Sequence, residues 1–157
     1  MSELRALMNR HPFKGTVDWI GLRPERLAPL TQPDQAELTL NGLTGDHHTG
    51  GGKRAVTLIQ AEHLPVIAVL ARTTVTPEQL RRNIVVSGIN LTALRKVTLQ
   101  IGSAQIKISG PCPPCSRMER TIGMGGYNAM RGHGGWYAEV VTPGHVALHD
   151  AVIPAQT

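Results

Sequence analysis

The chain has only two cysteines, and they stand in Gly110-Pro111-Cys112-Pro113-Pro114-Cys115. A Cys-x-x-Cys spacing admits three chemistries: a redox disulfide, half of a zinc site, or a loop that presents a single thiolate. The prolines bear on the choice. A residue before proline is pushed away from the helical region toward extended backbone, and this applies to Gly110, Cys112 and Pro113. Fully extended, at about 3.1 Å per residue, the two cysteine Cα atoms would lie roughly 9 Å apart. That exceeds the ~7 Å that a disulfide tolerates, although a turn at Pro114 would close the gap. Prolines 113 and 114 also remove backbone N–H groups that thioredoxin-type thiolates use.

Zinc would have to recruit histidines, and the candidates are His47, His48 and His133. Their spacing from the cysteines matches no standard finger. In the third reading Cys115 is the first residue past the stiff proline pair, with Arg117 and Arg120 close behind. Neighbouring cations favour a thiolate, and thiolates suit soft metals. A buried, inert thiol is the plain alternative, more so for Cys112.

Three further stretches can carry chemistry. "LTGDHHTGGGKRAVTLIQ" places Lys53 and Arg54 after three glycines. Such a loop lets backbone N–H groups approach an anion beside two cations; a flexible hairpin tip is the alternative. The order is not that of a P-loop. "LRRNIVVSGINL" sets Arg81, Arg82 and Asn83 where a helix hands over to a strand. "GYNAMRGHGGWYAEVV" carries Arg131 and His133 in what reads as a mobile loop before a strand.

The elements that must position these residues are mostly short strands. "GTVDWIGL", "AELTL", "RAVTLI", "NIVVSG", "KVTLQI", "AQIKIS", "WYAEVV" and "HVALHD" combine β-branched residues with short alternations between turn residues. "VTLQIGSAQIKIS" predicts a hairpin turning at Gly102-Ser103. Two helices are expected. One lies within "QAEHLPVIAVLA", with Pro65 in its first turns; the other begins at Thr76-Pro77, with Gln79 completing a capping box. The expected fold is mainly β, a mixed β-barrel with a few short helices, with an α+β sandwich as the alternative.

The 157 residues fit one domain with core elements at about 15–150, large enough to fold without staples. No stretch approaches the ~20 apolar residues of a membrane span, and the first residues lack the apolar run of a signal peptide. A cytoplasmic protein with no membrane partner is therefore expected. The net charge of +5 favours anionic partners. Aromatic side chains make up 3% of the chain, too few for the stacking platforms of single-strand recognition, so nucleic acid is not expected.

Taken in order, "LTGDHHTGGGKRAVTLI", "LRRNIVVSGINL", "LQIGSAQIKISGPCPPCSRM" and "GGWYAEVVTPGHV" resemble the MOSC domain, named for the C-terminal domain of molybdenum cofactor sulfurase. The resemblance implies a β-barrel and a stand-alone domain that binds the molybdenum cofactor, molybdopterin. In the members that act as reductases the second cysteine of the motif ligates the metal, which implies that role for Cys115. The Arg-x-Asn-Ile-Val stretch lies at the pterin phosphate side, which implies Arg81 and Asn83. Lys53, Arg54 and Arg117 complete the residues expected to hold the cofactor. By the same likeness the chain is an oxidoreductase acting on a small N-hydroxylated compound and fed by an electron-donor protein. The alternative is a sulfur carrier with a persulfide on Cys115, working between a sulfur donor and an acceptor protein in metal-sulfur cofactor assembly. The sulfurase's pyridoxal-phosphate domain has no counterpart, so pyridoxal phosphate is not expected.

Overall fold

The computed structural model describes residues 2–48 and 50–156. Its frame is a closed barrel of seven strands: β1 (Gly15–Ile20), β4 (Val56–Gln60), β5 (Ile84–Ser87), β6 (Thr98–Ile101), β7 (Ala104–Pro111), β8 (Trp136–Thr142) and β10 (Ala151–Pro154). The order around the barrel is β1-β10-β6-β7-β8-β4-β5, and pairing of β5 with β1 closes it. All neighbours run antiparallel except β4 and β5. A second sheet joins β2 (Gln35–Thr39), β3 (Gly42–Leu43) and β9 (Gly144–Ala147).

Alternation along the strands builds two apolar compartments. Val17, Val56, Leu58, Ile84, Val86, Leu99, Ile101, Ile106 and Ile108 belong to the cluster inside the barrel. Ile59 and Val85 belong instead to a second cluster on the outer wall, where helices cover the sheet. Strand β4 serves both compartments and is buried along its whole length. The helices over this wall are α2 (His63–Ala71), α3 (Pro77–Leu80), α4 (Ser116–Ile122) and α5 (Gly126–Met130), which contribute Ile67, Leu80, Met118, Ile122, Ala129 and Met130. A separate helix, α1 (Glu3–Met8), buries none of its side chains.

The barrel and the hairpin at Gly102-Ser103 agree with the expectation; Ile101 pairs with Ala104 across that turn. The expected capping box at Thr76 and Gln79 forms in both directions. Two expected strands, β2 and β9, lie in the small sheet rather than the barrel. The segment expected as a mobile loop before β8 begins as helix α5. Its start is held from α4: the Glu119 carboxylate accepts from the N–H groups of Gly125 and Tyr127 at 2.9 and 3.0 Å.

Candidate functional site

Both cysteines are free thiols, and they differ in position. Cys112 is 5% exposed and its N–H donates to the Gly135 carbonyl at 2.9 Å. It neighbours Tyr137, whose pKa is pushed upward first by burial and then by Cys112. Cys115 is exposed and forms the N-cap of α4. Among the described residues no group of three or more His, Cys, Asp or Glu could hold a metal ion.

Cys115 opens onto a cavity of about 440 Å³. Six arginines line it: Arg23, Arg26, Arg81, Arg82, Arg117 and Arg120. His47, Ser116, Leu27, Leu80 and Met118 complete the wall. Among the described residues the lining holds no carboxylate, so the cavity is a concentrated positive field that only an anion can balance.

The arginines are not equivalent. Arg23 is neutralised: its Nε and Nη2 form a fork on Asp46 at 3.0 and 2.8 Å. Burial works to raise the Asp46 pKa, but hydrogen bonds from the Arg23 side chain and N–H, with its charge, hold the carboxyl below its ordinary value. Arg81 takes a left-handed conformation at the end of α3. Its guanidinium reaches back to the carbonyls of Ala28 at 2.6 Å and Glu25 at 3.4 Å, so it ties down the wall formed by residues 23–31. Burial, and then the nearby charges of Arg117 and Arg23, push its pKa down.

Arg82 is 8% exposed. Its Nε donates to Gly134 O at 2.7 Å and its Nη1 to Leu80 O at 3.0 Å, while Nη2 has no partner. A buried guanidinium with an unused donor is costly unless something completes it. Backbone packing fixes its pose. A Cβ at Gly134 would sit 2.6 Å from the Cys112 carbonyl and 3.6 Å from Arg82 Nη2. Gly135 has φ of 92°, and a Cβ there would run into the Leu58 carbonyl. Bare backbone at both positions lets the 131–135 loop press Arg82 against the cysteine loop. The side chains of Arg26, Arg117 and Arg120 make no hydrogen bond or ion pair among the described residues.

Asn83 does not line the cavity as expected. It is fully buried, and its side chain is already engaged. Oδ1 accepts from the N–H and hydroxyl of Thr57, each at 3.1 Å, and Nδ2 donates to Gly21 O at 3.0 Å and Asp46 at 3.3 Å. It locks the ends of β1, β4 and β5 behind the cavity. Lys53 and Arg54 sit on a one-turn 3₁₀ helix, Gly52–Arg54, outside the cavity lining. Arg54 stacks 5.0 Å from the centre of the Tyr137 ring, behind the cysteine loop. The structure thus brings Cys115, Arg81 and Arg117 together and leaves Lys53, Arg54 and Asn83 apart from them. It adds Arg82, Arg23, Arg26, Arg120 and His47. The paired glycines before β8 were the signal in the sequence for the close packing that buries Arg82.

His47 contributes a defined acceptor. Its Nδ1 lies 3.0 Å from the Arg23 carbonyl. A carbonyl only accepts, so in the neutral ring the proton sits on Nδ1 and Nε2 is left as the acceptor.

Solved structures share this architecture. The YuaD protein of Bacillus subtilis superposes with a TM-score of 0.78 at 20% identity, over 88% of this chain and 94% of that one. YiiM of Escherichia coli gives a TM-score of 0.70 at 22% identity, over 90% of this chain and 70% of that one. YiiM of Geobacillus stearothermophilus gives 0.74 at 15% identity, over 90% and 75%. At these identities the likeness speaks for the fold. No curated protein sequence matches the chain. A sequence profile decides the family: the MOSC domain matches residues 45–153, from the Asp46 lock through the cysteine loop into β10. The chain belongs to the MOSC domain family.

Proposed function

We propose that this protein binds the molybdenum cofactor in the Cys115 cavity and acts as an oxidoreductase on a small N-hydroxylated compound. MOSC domains are associated with binding of that cofactor. The single observation that carries the reading is the unpartnered Nη2 of buried Arg82 in a cavity that also presents a free thiol. The residues fit the group. A pterin phosphate is a permanent anion, and Arg82 offers it a fixed, desolvated donor of the kind that forms strong charge-assisted bonds. A soft metal takes a thiolate, and Cys115 is the exposed thiol.

When bound, the cofactor supplies the two-electron chemistry at nitrogen or oxygen. The chain's own residues do the rest. Arg82 would hold the anionic end and is itself held by the Gly134 and Leu80 carbonyls. Arg81 keeps the 23–31 wall against the cavity. Cys115 would offer its sulfur to the metal, and Nε2 of His47 would take or return a proton at the lining. Electrons would come from a donor protein reaching the open face, in the cytoplasm.

The exposure of Cys115 also favours a second reading, in which a partner protein loads a persulfide onto it. Metal analysis and intact-mass measurement on the purified protein separate the two. The expected result is about one molybdenum per chain, lost in Cys115→Ser and largely kept in Cys112→Ser. The added mass of one sulfur on Cys115, with no molybdenum, would favour the carrier. Equal loss from both substitutions would sink the assignment of Cys115.

A further inference from the structure

The cavity has an outer chamber. A depression of about 310 Å³ adjoins it, lined by Glu78, Gln79 and Thr121 together with Leu27, Arg81, Arg117 and Arg120, which both spaces share. Arg81 is occupied with the Ala28 and Glu25 carbonyls. Arg117 and Arg120 have no hydrogen bond or ion pair, and one exposed carboxylate, Glu78, stands at the far side. Arg26, also unpaired, lies on the inner side of the same mouth.

These free cations exceed what one resident anion at Arg82 requires. They also differ from Arg82 in kind. Arg82 is buried and locked, as suits a ligand that stays. Arg120 is exposed and Arg117 half-buried, as suits one that arrives and leaves. Exposed charge at the mouth of a cleft steers diffusing anions and raises their local concentration. Arg117 and Arg120 lie three apart on α4, so both project on one side of the helix. From Cys115 to Arg120 the helix axis advances about 7.5 Å, the reach of a molecule one ring long.

We infer that the substrate carries an anionic group, a carboxylate or a phosphate, which seats on Arg117 and Arg120 while its reactive end faces Cys115. This rests on the Cys115 cavity being the reaction site, as proposed above.

The test is a titration of the protein as purified, followed by NMR of the arginine side-chain N–H groups and the α4 amides. The probes are benzoate, phenyl phosphate and neutral benzamide. Both anions are expected to shift Arg117 and Arg120 and to bind about tenfold more tightly than benzamide. In the Arg117→Gln, Arg120→Gln double variant the preference should fall to about twofold, while Arg5→Gln on the distant α1 retains it. A phenyl phosphate affinity well above that of benzoate marks a phosphate; similar affinities mark a carboxylate. In loaded protein, the ratio of kcat/KM for 4-carboxybenzamidoxime over benzamidoxime should drop in the double variant through KM. Equal binding of benzoate and benzamide, or a preference that survives in the double variant, overturns the inference. Molybdenum content of the same samples keeps the two readings apart. Molybdenum without anion preference defeats the inference alone. Anion preference without molybdenum defeats the cofactor reading and leaves the anion site standing.

Discussion

The floor of the Cys115 cavity and its rim use polar residues in opposite ways. On the floor, Asn83, Thr57, Asp46 and Arg23 form a closed network in which each side chain is matched. At the rim, Arg26, Arg117 and Arg120 are unmatched cations, and Arg82 stands between the two zones with one donor still free. Satisfied buried networks rigidify a fold, and leaving one member unpaired is costly. Unmatched charge at a surface contributes little to stability and is available for ligands. The comparison assigns stability to the floor and recognition to the rim, and substitutions on either side should break it in opposite directions.

The largest effect is expected at Asn83. Asn83→Ala strands the Thr57 N–H, the Thr57 hydroxyl proton and the Gly21 carbonyl in a buried site. At about 1–3 kcal/mol for each unsatisfied buried group, the loss should exceed about 3 kcal/mol. For a domain of this size that lowers Tm by roughly 10 °C. Urea and thermal unfolding measure it. A change under about 1 kcal/mol would mean that the network is not the support it is taken for.

The floor also sets a dependence on pH. Asp46 is held below its ordinary pKa in the fold. Its contribution is therefore complete above the unfolded value near 3.9 and is lost as pH falls through the lower folded value. A second step comes from His63, whose ring lies 5.4 Å from that of His133. Burial, and then the charge of His133, lowers the His63 pKa against the opposing pull of Glu62. The fold prefers the neutral ring, so its contribution is present above about pH 6.5 and declines below it. Unfolding midpoints between pH 7.5 and 3 should fall in two stages. His63→Asn should flatten the first and Asp46→Asn the second, even as the latter lowers stability throughout.

The barrel was legible because half-buried strands alternate, and because Gly102 and the Thr76–Gln79 box carry their own turn and cap chemistry. Helices α4 and α5 were not. Both are short; Cys115 caps α4 without a side-chain bond, and α5 starts at a glycine held by Glu119 from the other helix. That support is tertiary and leaves no local pattern. The site divides in the same way. Cys115 announces itself by its proline-stiffened loop. Nothing local separates Arg81 from Arg82, because carbonyls of Leu80 and Gly134, the latter far along the chain, decide which guanidinium is buried. The resemblance put Asn83 beside the cofactor, whereas its side-chain hydrogen bonds go to Thr57, Gly21 and Asp46. Arg54 followed a glycine loop suited to an anion, yet its partner is an aromatic ring.

The smallest effect is expected at the rim, and its sign is the informative part. Arg117→Gln with Arg120→Gln removes two cations that make no hydrogen bond or ion pair, the first of which repels Arg81. Losing solvated side chains of this kind changes stability by within about 0.5 kcal/mol. Here like-charge repulsion should turn that into a slight gain. Repulsion among exposed charges is screened by salt, with a Debye length of about 10 Å at 0.1 M. The wild-type protein should therefore gain stability when salt rises from low ionic strength, and the double variant should gain less. Urea midpoints at two salt concentrations, for both proteins, give the four values needed. If the variant is less stable than wild type at low salt, Arg117 and Arg120 hold the fold together, and the division between a structural floor and a recognising rim does not stand.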